Sequence, residues 1–170
     1  MSTGINLRML LLAACCFIPV PVQAAIINMS ASLDAAQEVA DEPVVSDGTG
    51  TAIVTFDDVS NLLSWDINFS DLTGPATAAH FHGPAAPGVN AGVQVNIGAI
   101  SGLTSPMSGS TTISDGQETE LLDGLWYINV HTDAYPAGEI RGQVQVVPLP
   151  AAAWLMLGGL AGLWRCARRS

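Results

Sequence analysis

The residues best suited to chemistry in this chain are its histidines, of which there are 3: His80, His82 and His131. Neutral imidazole is a good ligand for copper and zinc. In Ala79-His80-Phe81-His82 the two histidines are two apart, so on a β-strand both side chains leave the same face. With Phe81 turned into a core, both point away from it. His131 ends the run Trp126-Tyr127-Ile128-Asn129-Val130-His131, where Trp126, Ile128 and Val130 inward place His131 outward. Two imidazoles on one strand and a third on a neighbour make a candidate three-ligand set for copper or zinc. Arg141 is the only base between the chain's two terminal zones, and it is the candidate to face an anion or support the ligands. The same residues also fit a structural polar network. In that reading His80 and His82 bond to backbone and order loop 83–89, while Arg141 pairs with Glu139 or Asp133.

Other chemistry is thin. There is no G-x-S-x-G and no phosphate-cradling loop, so no complete catalytic constellation is present. Asp57, Asp58, Asp71 and Asp123 in loops could bind Ca²⁺ only weakly, because none belongs to a D-x-D-x-D-G loop. All 15 acids lie between Asp34 and Glu139, against Arg141 alone, and the chain has no lysine. Such a surface repels nucleic acid and anionic lipid, which excludes nucleic acid as a partner.

The elements that must position the histidines show a hydrophobic period of two. Leu63, Trp65, Ile67 and Phe69 alternate with Ser64, Asp66, Asn68 and Ser70. Ala52, Val54 and Phe56 alternate with threonines and Ile53 just upstream, and the turn formers of 57–61 make the pair a hairpin. Ile140, Gly142, Val144 and Val146 alternate with Arg141, Gln143 and Gln145. Shorter strands are expected at 27–33, 76–82, 92–97, 107–113 and 118–122, and no stretch carries a helical stripe. Glycine and proline punctuate the runs. The expectation is one all-β domain over 25–146, a single antiparallel β-sandwich of Greek-key, immunoglobulin-like or superoxide-dismutase-like type. No cysteine lies in it, since Cys15, Cys16 and Cys166 all fall in the terminal zones, so packing alone must hold it.

The two ends differ in character. Residues 1–24 carry Arg8, an apolar run and Val22-Gln23-Ala24, the order of a secretory signal read by signal peptidase. A second reading takes Leu12-Ala13-Ala14-Cys15 as a lipobox with a lipidated Cys15. Residues 147–170 run Val147-Pro148-Leu149-Pro150, then an apolar stretch to Trp164, then Arg165, Arg168 and Arg169. Fourteen apolar or glycine residues make a helix of about 21 Å, marginal for a hydrocarbon core of about 30 Å. The arginines would hold its end on the cytoplasmic side of the inner membrane.

That tail resembles the PEP-CTERM sorting signal in its V-P-L-P-A-A variant. The resemblance implies export, transient anchoring in the inner membrane and processing by an exosortase in bacteria that make exopolysaccharide. The middle region resembles the CHRD domain over residues 30–146. The resemblance is carried by Ala31-Ser-Leu-Asp-Ala-Ala-Gln-Glu-Val39, Leu63-Ser-Trp65, Leu72-Thr-Gly-Pro-Ala-Thr-Ala-Ala-His-Phe-His-Gly-Pro-Ala85, Leu125-Trp-Tyr-Ile-Asn-Val-His-Thr132 and Tyr135-Pro-Ala-Gly-Glu-Ile-Arg-Gly-Gln143. It implies a β-sandwich with binding or adhesive roles, and exopolysaccharide or other surface proteins as partners. More distantly, His80-Phe81-His82, Val130-His131 and the later Arg141 are similar to the copper-zinc superoxide dismutase sandwich. That likeness lacks the histidine that would bridge a second metal, the zinc ligands and the disulfide cysteines. Two functions follow as expectations: an exported envelope or matrix domain for binding and adhesion, and a copper-binding redox or metal-handling domain.

Overall fold

Alternation turns into strands wherever one side of the chain can be buried. The computed structural model describes residues 25–148, so the signal zone, Leu149, Pro150, the apolar tail and Arg165, Arg168 and Arg169 lie outside the described residues. β1 (Ile26–Asp34), β2 (Thr49–Asp57) and β3 (Leu62–Ser70) form an antiparallel meander. It buries Met29 and Leu33, Val54 and Phe56, and Leu63 and Ile67 on one face. The β2–β3 turn is closed by Asp57, whose carboxylate accepts from the backbone N–H of Val59 at 2.9 Å and Ser60 at 3.2 Å. Asn61 supplies the positive φ of 54° that the turn needs.

The remaining strands are β4 (Ala76–His82), β5 (Val93–Asn96), β6 (Met107–Thr112), β7 (Tyr127–Thr132), β8 (Ile140–Gln143) and β9 (Gln145–Val146). Hydrogen bonds link them in the order β5-β4-β7-β8-β1-β2-β3-β6, with β9 also on β1. Were this sheet flat, β3 and β4 would stand five strand spacings, about 24 Å, apart. Instead Trp65 of β3 meets Phe81 of β4 edge to face, with centroids 5.5 Å apart. The sheet therefore curls until its halves face each other over one core, the all-β, sandwich-like arrangement that the alternation requires.

The curl is made at the junction of β8 and β1, where Asp34 pairs with Arg141. A Cβ on Gly142 would stand 2.4 Å from the Ser32 carbonyl oxygen, so only glycine lets the two strands approach this closely. Beyond it Val144 leaves the ladder, donates its N–H to Trp126 O at 2.9 Å and is fully buried.

Besides the expected 140–146 strand, which breaks at Val144 into β8 and β9 and leaves Val146 exposed, two elements differ from the sequence expectation. Residues 118–122 are not a strand but belong to α2 (Asp115–Leu122), which begins in a capping box between Ser114 and Gln117. Only Leu121 is buried along it, so no apolar stripe marks it. The strand expected at 92–97 stops at Asn96, whose side chain accepts from Ala99 N and starts α1 (Ile97–Ser101). Among the described residues no helix is long and apolar enough to cross a membrane.

Candidate metal centre

β4 and β7 are neighbours, and their register sets Ala78 opposite His131, His80 opposite Asn129 and His82 opposite Tyr127. Ala79 and Phe81 are fully buried in the core, so His80 and His82 share the outer face, as their spacing requires. On β7 the core takes Ile128 and Val130, which puts Tyr127, Asn129 and His131 on the same outer side as the β4 histidines. That outer side is not solvated: all six residues of β7 are buried. Loop 83–92 and the turn 133–139 roof it, a covering that alternation cannot reveal.

Under this roof the three imidazoles meet. Each offers a ring nitrogen, and the three atoms lie within 4.8 Å of one another. His80 Nδ1 and His131 Nε2 are 3.2 Å apart. The ring centroids are separated by 5.4 Å (His80–His82), 5.2 Å (His80–His131) and 6.1 Å (His82–His131).

Backbone carbonyls fix two of the tautomers. His131 Nδ1 lies 3.1 Å from Pro136 O and His82 Nδ1 lies 2.9 Å from Ala91 O. A carbonyl only accepts, so both Nδ1 atoms carry the proton and both Nε2 atoms are unprotonated; that of His131 accepts from His80 Nδ1–H at 3.2 Å. The His82 Nε2 lone pair is buried and has no hydrogen-bond partner. Burial holds all three imidazoles below their usual pKa, and repulsion between the rings adds to this for His80 and His131. For His82 the Ala91 bond works against burial, and the nearby Arg141 charge works with it. They are neutral near pH 7, the state in which imidazole binds a metal.

Arg141 sits one strand further on, opposite Asn129 in the ladder. It is only 1% exposed, and its guanidinium lies 3.5 Å over the Tyr127 ring. It donates from Nη1 to Asn90 Oδ1 at 3.0 Å and from Nη2 to Val89 O at 2.8 Å. The expected pairing with Glu139 or Asp133 is therefore wrong. Glu139 accepts instead from Thr73 N at 2.7 Å, Thr73 Oγ1 at 2.8 Å, and the hydroxyls of Ser46 and Thr132. Burial raises its pKa, but these bonds outweigh it and leave the carboxyl below its usual value.

Glu38 differs: burial pushes its carboxyl up, against the attraction of Arg141. Sequence reasoning passed over Glu38 and Asn90. It also passed over Tyr127 and Asn129, although these share the phase of His131 along β7, the signal that could have found them. Val147 and Pro148, the start of the expected sorting motif, leave the sheet with Val147 N–H donating to Asn28 O at 2.8 Å.

The family model of the CHRD domain matches residues 29–144. Neither the curated proteins nor the solved structures give a significant match.

Proposed function

The chain belongs to the CHRD domain family, and from that premise and the imidazole geometry we propose an exported envelope or extracellular protein whose domain binds a transition-metal ion through His80, His82 and His131. One observation carries this reading. Two of the imidazoles donate Nδ1–H to backbone carbonyls and leave Nε2 unprotonated, that of His82 buried without a partner and that of His131 facing His80 Nδ1. Ligating histidines ordinarily have their second nitrogen held in this way.

Copper or zinc suits three neutral nitrogen donors. Ligation at about 2.0–2.1 Å brings nitrogens to about 3.3–3.6 Å from one another, so small ring rotations from the present spacing complete the set. His80 must then move its proton from Nδ1 to Nε2, which frees the nitrogen that now faces His131. A fourth position remains for water or an anion. The reading rests on these contacts and not on the dismutase likeness.

Calorimetric titration of the protein with Cu²⁺ and Zn²⁺ tests it. One ion per domain is expected, with affinity falling at least about 100-fold when all three histidines become alanine. Unchanged affinity in that variant would end the proposal.

A second reading, adhesion in a surface matrix, is favoured by the outer face of β1, β2, β3 and β6. Between Asp34 and Asp57 at its ends, this face presents Ser32, Thr51 and Asn68 in paired register, with the exposed Ile53 between Ser30 and Asp66. Asp66 is the carboxylate at its centre, and Asn68 Nδ2 and Ser108 Oγ hydrogen-bond its two oxygens at 2.7 and 2.6 Å. A neutral polysaccharide fits that surface. Retention on the producing cells' polysaccharide should be lost in Thr51→Glu, and equal retention of both proteins would refute the assignment. The tail sequence supports exosortase processing. The mature protein should then end near Pro148, and recovery of a form still carrying Arg169 would exclude it.

A further inference from the structure

We infer that Arg141 is the positioning residue of the imidazole cluster, acting on His82 by clamping the loop that holds it; this rests on the metal-binding reading above. The guanidinium is almost fully buried, yet its hydrogen bonds run to neutral acceptors, Asn90 Oδ1 and Val89 O. Burying a cation in this way is costly unless the charge is compensated. Here compensation comes from two charge-assisted hydrogen bonds, from the face of Tyr127 and from the attraction of the nearby Glu38 carboxyl.

Both contacts lead to His82. Val89 and Asn90 immediately precede Ala91, whose carbonyl fixes His82 Nδ1–H at 2.9 Å. Ala91 N–H also donates to the Tyr127 hydroxyl at 3.0 Å, so the loop is fastened to the ring at the same residue. Tyr127 in turn stacks on His82, with centroids 5.1 Å apart and planes within 8°. The strand order β4-β7-β8 places His82 and Arg141 on opposite sides of Tyr127, so the phenol ring is held between imidazole and guanidinium. Asn90 is further tied down by its Nδ2 bond to Val39 O at 2.9 Å.

Arg141 forms no hydrogen bond with any of the three imidazoles. It fixes which nitrogen of His82 is bare and where that nitrogen points. A two-armed fork is needed for this, which lysine does not provide.

The test uses the full chain and two readouts. The first is the His82 tautomer in metal-free protein near pH 7.5, from long-range ¹H–¹⁵N correlation. The second is Zn²⁺ affinity by titration. Wild type should show a single Nδ1–H tautomer. Arg141→Gln should mix the tautomers and weaken Zn²⁺ binding about 10–100-fold, and Arg141→Lys should do the same despite its charge. Asn90→Ala removes one acceptor at an exposed residue. It should give a few-fold loss with partial mixing, and it decides the matter if the Arg141 variants fail to fold.

A mixed tautomer in wild type, or Asn90→Ala and Arg141→Gln both matching wild type, would overturn the clamp. So would full retention of affinity in Arg141→Lys. A wild type that binds no Zn²⁺ or Cu²⁺ refutes the metal reading instead, and the tautomer measurement still judges the role of Arg141.

Discussion

Burial pulls His80, His82 and His131 below the ordinary imidazole pKa, so the unfolded chain takes up protons more readily than the folded one. Their contribution to stability is whole above the unfolded value of about 6.5 and is lost as pH falls through it toward the folded values. The melting temperature of metal-free protein should therefore be flat above about pH 7 and should decline between about pH 6.5 and 5. Glu38 acts with the opposite sign, since its raised folded pKa favours the folded state as acid is added. The comparison to make is between wild type and His131→Gln across that window, where a smaller acid loss is expected in the variant. Equal slopes would mean that the imidazole protons are not linked to folding. The histidine cluster was legible at this scale because spacing and alternation are local. The partner of Arg141 was not. Val89 and Asn90 lie about fifty residues away along the chain, and the nearby candidate Glu139 is captured by Ser46, Thr73 and Thr132.

Among the elements, the β2–β3 hairpin could be read residue by residue, because an unbroken alternation and an Asp-rich turn specify both its register and its end. Helix α2 escaped, since a helix that buries only Leu121 has no periodicity to show, and its one signal is the Ser114–Gln117 capping box. Gly142 was read simply as a member of an alternating strand. Its importance appears only where β8 meets β1, with the Ser32 carbonyl 2.4 Å from where a Cβ would be. That contact is with backbone, which cannot turn aside as a flexible side chain would. Gly142→Ala should cost about 1–3 kcal/mol, the range for forcing extra volume into a packed site. Urea unfolding measures this. Because Gly142 is adjacent to Arg141, the variant should weaken metal binding as well. A stability within about 0.5 kcal/mol of wild type, the usual scatter for neutral surface changes, would show that β8 can shift away from β1 at little cost.

Considered whole, the molecule must hold a curled sheet closed without a covalent link, because no cysteine lies between residues 25 and 148. Closure depends on side chains that span the two halves, with Trp65 edge-on to Phe81, which within its own half is tilted against Trp126 at 6.0 Å between centroids. Trp65 is also pinned by its Nε1–H, which donates to Ser101 Oγ of α1 at 2.9 Å. Trp65→Ala removes both the ring and that anchor, and should cost about 3–5 kcal/mol. For a domain of this size, with a total stability of about 5–15 kcal/mol, that is a large share. The loss should reach the metal centre too, although Trp65 lies on the opposite half of the sheet. Phe81 sits between His80 and His82 on β4, and loosening its ring frees the strand that aims both imidazoles. Reductant, by contrast, should leave the melting temperature unchanged in both proteins. Denaturant unfolding followed at once by tryptophan fluorescence and by bound Cu²⁺ absorbance tests this coupling. Coincident transitions in wild type, and a shared downward shift in Trp65→Ala, are expected of one core serving both layers. If the metal signal survived after the fluorescence transition, the site would be held by its own half of the sheet, and the cross-layer account of its rigidity would be wrong.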